Sequence, residues 1–132
     1  DMAVAKEHNY GDVLWSRGVF NAMLIAEGAR NAILEFGGKI TGKEMRWGLE
    51  HINLTEERLA ELGAKGFGRP FTVTCADHEG NGPVLFQEWD GEKWVIVSDW
   101  IEPMREIVRP MLEQAAATEA EKWNYTMRDD CT

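Results

Sequence analysis

A thiol, an imidazole and two carboxylates crowd into one short stretch, Cys75, Asp77, His78 and Glu79, followed by Gly80, Asn81 and Gly82. Such a set could ligate zinc, but a zinc site wants further Cys or His at defined spacing. Elsewhere the chain offers only His8, His51 and Cys131. A Cys75–His78 nucleophile pair of a small hydrolase would have to be assembled in space, and adjacency cannot decide it. Asp77, Glu79, Asn81, Gly82, Val84 and Glu88 also fall at the offsets of a calcium loop. That loop needs Asp or Asn where Glu79 stands and helices on both sides, whereas Pro83 stiffens this one and its flanks read as strands. The remaining reading is a polar turn between strands, in which Asp and Asn cap backbone groups and Gly80 and Gly82 supply positive φ. No metal and no cofactor is expected.

The six tryptophans are a second candidate constellation. Most suit core or interface positions. Trp15 stands just before a long apolar helix, where free N–H groups and a partial positive charge could receive an anion. It could equally anchor the start of the helix by packing. The chain has no Gly-rich phosphate loop, Gly-x-Ser-x-Gly elbow or His-Glu-x-x-His stretch, so nothing in it demands catalysis.

The elements that would position these residues can be read from periodicity. From about Leu14 to Phe36, apolar residues and alanines recur at three and four, predicting a long, largely buried helix. Its charges Glu27 and Arg30 can pair on the exposed strip, and Gly37-Gly38 stops it. Thr41 and Glu44 form a capping box opening a short helix to about His51, and Thr55 opens another that Gly63 and Gly66 close. Phe71, Val73 and Cys75 alternate as in a strand. The runs 83–88 and 93–98 around Asp90-Gly91 predict a hairpin, with Trp89 and Trp94 able to pack across it. After Pro103, Met104, Ile107, Val108, Met111, Leu112 and Ala115 give a C-terminal helix with one packed face. Pro110 predicts a kink or a division into two helices.

At 132 residues with a formal charge of −9, the chain has room for one domain and repels phosphate backbones and anionic lipid. No apolar run approaches the ~20 residues of a spanning helix, and residues 1–9 lack the pattern of a signal peptide. A cut piece of a longer protein would look the same. The two cysteines fit either one disulfide or two cytosolic thiols.

The run from Gly11-Asp12-Val13-Leu14-Trp15-Ser16-Arg17-Gly18 through Ala26-Glu27-Gly28-Ala29-Arg30 resembles a long helix near the C-terminal end of type I periplasmic solute-binding proteins. Ile40 to Glu44, Arg46 to Glu50, Cys75 to Gly80, Gln87 to Gly91 and Val97 to Ile101 are similar to the branched-chain amino acid and amide subgroup, extending the likeness from about Gly11 to Asp130. The resemblance implies an α/β chain supplying part of a two-lobed fold, residues 1–132 forming a single partial domain. Its function would be the substrate-binding component of an ABC importer, taking a small amino acid, amide or aromatic carboxylate in an interlobe cleft. Trp15, Ser16 and Arg17 would face the ligand, although the family's aromatic residue is displaced by one position here. Its partners would be the missing N-terminal part or a second copy, and a membrane permease. A periplasmic location would permit a Cys75–Cys131 disulfide, contributing about 4 kcal/mol in the chain-entropy model. A free-standing α+β interaction or dimerisation module is the alternative.

Overall fold

The computed structural model describes residues 12–80, 82–127 and 131; His8, Gly11, Asn81 and Asp130 fall outside them. The chain divides into two compact units, residues 1–80 and 81–132. The first unit is built on α1 (Val13–Phe36), capped by Asp12, whose Oδ1 accepts from the Trp15 N–H at 2.6 Å. Gly37, at φ 88°, closes the helix and donates its N–H to Ile33 O at 2.9 Å.

The expectation of a largely buried α1 is corrected here. Only Glu27, Gly28 and Ala32 are buried, while Leu14 and Leu34 are 74% and 69% exposed. Apolar residues all round a helix state what it can bury; a partner must be present before it does so. The contact that does form is with α2 (Gly42–Leu49), and it is set by small residues. A Cβ on Gly48 would stand 1.9 Å from the Gly28 carbonyl oxygen, and one on Gly28 would stand 2.6 Å from Leu49 Cδ2. The two backbones touch because neither position has a side chain.

The capping box forms as expected: Thr41 N donates to Glu44 Oε2 at 2.8 Å and the Thr41 side chain accepts from Lys43 N. Asn31 from α1 donates to His51 O at 3.0 Å, satisfying a carbonyl past the end of α2. The chain then enters β1 (Asn53–Leu54), α3 (Glu56–Glu61) and β2 (Phe71–Thr72). Thr55 caps α3 by accepting from Arg58 N at 3.2 Å. β1 and β2 pair antiparallel, with Asn53 opposite Thr72 and Leu54 opposite Phe71. Ile52, Leu54 and Leu59 are the buried centre, covered by Met23, Leu24, Leu49, Ala64, Phe71 and Val73.

In the second unit β3 (Gln87–Trp89) and β4 (Trp94–Ile96) make the expected hairpin, register Trp89 opposite Trp94 and Gln87 opposite Ile96. Asp90 Oδ1 accepts from Glu92 N at 2.8 Å and Lys93 N at 2.9 Å, and Gly91 takes φ 106°. The indoles of Trp89 and Trp94 meet edge-on at 5.7 Å between ring centres. Val84 and Ile101 extend the pairing by an antiparallel bridge. α4 (Arg105–Lys122) is one helical element with Pro110 inside it, so the division into two helices does not occur. The packed face expected of it is not observed: no residue of α4 is buried, and it packs on neither strand of the hairpin.

Candidate functional site: a groove along the first turns of α1

One face of the first turns of α1 presents Ser16, Arg17, Phe20 and Asn21 to an open groove of about 410 Å³, whose far side is Phe67 and Gly68. Phe20 is its floor, set by Phe67 and Phe71, each 6.4 Å away between ring centres. Gly68 is required there, since a Cβ would come within 2.7 Å of the Phe20 ring. A guanidinium, a hydroxyl and an amide beside two aromatic rings can hold a small molecule with an apolar body and an anionic end.

The structure thus brings Ser16 and Arg17 together along one groove, and Trp15 is outside its lining. Trp15 is half exposed, and its N–H is taken by the Asp12 carboxylate. The helix terminus that could have received an external anion therefore already holds one from its own chain.

Cys75 and Cys131 are joined by a disulfide. In this bonded form the Cys75 sulfur has no thiolate with which a Cys75–His78 pair could attack. His78 instead places Nε2 3.3 Å from Oε1 of the buried Glu50, which Arg46 approaches at 3.8 Å. The stretch around Asp77 is the polar turn: Thr74 and Asp77 exchange backbone hydrogen bonds of 3.0 and 3.1 Å, and Asp77 Oδ1 accepts from Glu79 N at 3.1 Å. Gly80 has φ 68° and sits against the Phe71 ring. Among the described residues no group of three or more His, Cys, Asp or Glu is arranged to hold a metal ion.

A charged cluster in the first unit escapes sequence reasoning. Glu27 is buried, with Arg58 donating from Nη2 to Oε1 at 2.5 Å and from Nε to Oε2 at 2.9 Å; Arg58 Nη1 also reaches Glu61 at 2.8 Å. Arg30, the expected partner, stands at 4.0 Å. The Arg58 hydrogen bonds hold the Glu27 carboxyl below its usual pKa, against the desolvation that would raise it. Glu27 and Arg58 are 31 positions apart, and no local pattern links them.

No protein-family model matches the chain, and no curated protein matches it. A solved structure does: the chain is similar to one described as the crystal structure of an ABC transporter permease from the Pseudomonas fluorescens group, with a TM-score of 0.82 and 36% identity. The similarity covers 93% of this chain and 30% of that one, so the chain spans less than a third of the other's length. This comparison overturns the identification as a periplasmic solute-binding component, because the similar protein is described as a permease; the free-standing interaction module finds no support in it either. The motifs behind the earlier identification encode a capped helix, a close helix crossing and a hairpin turn. These are local structures that carry a fold and do not carry a role.

Proposed function

We propose that this chain is part of an ABC-transporter protein of the permease kind, contributing an α/β segment with no reaction of its own. One observation carries the reading: the likeness to the Pseudomonas fluorescens group protein at 36% identity across 93% of the chain. Among the described residues no helix is long and apolar enough to cross a membrane, so the role assigned to this segment does not rest on a spanning helix. The Cys75–Cys131 disulfide supports an oxidising compartment, on the periplasmic side.

Within such a protein Ser16 and Arg17 are the contacts we assign to a small anionic molecule, with Trp15 flanking them. Arg17→Ala should abolish any thermal stabilisation by small organic acids, and an unchanged shift would remove Arg17 from the site. The transporter reading is tested by affinity-tagging the protein expressed from its own gene, extracting membranes in mild detergent, and assaying the eluate for an ATP-hydrolysing subunit. Co-isolation of an ATPase at a fixed ratio is expected. A protein recovered free of any ATPase would overturn the reading.

A further inference from the structure

α4 is an 18-residue helix without a buried residue. Along it Met104, Ile107, Val108, Met111 and Leu112 recur at three and four, making one apolar stripe, and Ile107 and Met111 are 63% and 65% exposed. The stripe runs on into an open apolar groove of about 430 Å³ that includes Ala116, Ala120 and Trp123. Helices of this length gain most of their stability from packing such a face, and Pro110 weakens this one further by removing a backbone donor. A face of this kind is where a partner surface would pack.

Three occupants compete: a lipid surface, a second copy of this chain, or further polypeptide of the same protein. Helices that lie on anionic membranes are rich in Lys and Arg on the polar face, whereas α4 carries three cationic side chains against four anionic ones in a chain of formal charge −9. The similar solved protein favours further polypeptide over a second copy. The residues of this chain left out of the match are fewer than α4 holds, so the shared fold takes in at least part of α4. In that protein the shared fold is accompanied by more than twice as much additional polypeptide.

We infer that the α4 stripe is a seat for further polypeptide of the same protein, of the kind that makes up the unmatched seven-tenths of the similar structure. The inference rests on the transporter reading only in taking the same protein as its guide, and its test has a separate readout. Met111→benzoyl-phenylalanine, a photo-reactive side chain, is introduced into the protein expressed from its own gene, irradiated in cells, and the adducts are sequenced by mass spectrometry. The expected adduct joins residue 111 to peptides outside these 132 residues that resemble the unmatched part of the similar protein, and Glu106→benzoyl-phenylalanine, on the opposite face, gives at least tenfold less of it. Adducts to residues 1–132 of a second copy, adducts to lipid, or no adduct at all would each overturn the seat. An ATPase co-isolated without the adduct leaves the transporter reading standing and removes the seat; the adduct without an ATPase does the reverse.

Discussion

Arg58 matters to the first unit because it is what makes a buried carboxylate tolerable. In Arg58→Leu, Glu27 would stay buried without its two charge-assisted hydrogen bonds. Since the folded pKa of Glu27 is depressed, the stability it contributes is complete above the ordinary glutamate value of about 4.3 and is lost as pH falls through the folded value. The variant should therefore unfold at lower urea than the parent at pH 7, with the gap narrowing as pH falls, first as the unpaired, desolvated Glu27 of the variant takes up a proton and then as the parent's own Glu27 does. A gap that stays constant down to low pH would show that the pairing has no part in it. The glycines give a paired test. Gly48→Ala forces α1 and α2 apart and should cost about 1–3 kcal/mol. Gly18→Ala, with open space around it in mid-helix, should stabilise by about 0.5–1 kcal/mol. Urea melts of both variants check the contrast. The pairing of Glu27 with Arg30 was legible and is present at 4.0 Å; the burial of Glu27 and its closer partner, which arrives from α3, were not.

At the scale of elements, the signals that succeeded are those whose physics is contained in a few residues. Thr41 with Glu44, Thr55, and Asp90-Gly91 each satisfy backbone groups next to themselves, so cap and turn appear where the sequence puts them. Thr41→Ala should cost about 1 kcal/mol, measurable in the same melts. Asp90 accepts from two N–H groups in the turn, which holds its carboxyl below the usual value. Asp90→Ala should loosen the Trp89–Trp94 contact, seen as a weakened coupled-indole signal in far-ultraviolet circular dichroism, and an unaltered signal would mean that Gly91 and the strands suffice. The pairing of β1 with β2 was not legible, since two-residue strands separated by a helix carry no period to detect. Neither was the exposure of α1 and α4: their stripes were read correctly as apolar, but whether a stripe is covered depends on residues elsewhere. Of the candidate groove, Ser16 and Arg17 enter only as what the family resemblance implies, while Phe20, Phe67 and Gly68 meet only through the fold.

For the molecule as a whole, the exposed apolar surface on α1, the hairpin and α4 predicts that the 132-residue chain, purified by itself, binds a hydrophobic dye strongly and self-associates in a concentration-dependent way. A monodisperse monomer that leaves the dye dark would contradict that. The Cys75–Cys131 disulfide closes a long loop and constrains the unfolded chain, so reduction should lower stability by about 4 kcal/mol or less, read as a fall in Tm between oxidised and reduced samples.

The crossing of α1 and α2 has a mechanical consequence as well. Where helices meet through long side chains, a small displacement is absorbed by a change of rotamer. At Gly48 there is no rotamer to change: the Gly28 carbonyl lies directly against it, with the Leu49 side chain covering Gly28 beside the crossing. With backbone against backbone at that point, a tilt of α1 should pass into α2, and hydrogen exchange should find the amides on both sides of the crossing opening to solvent together.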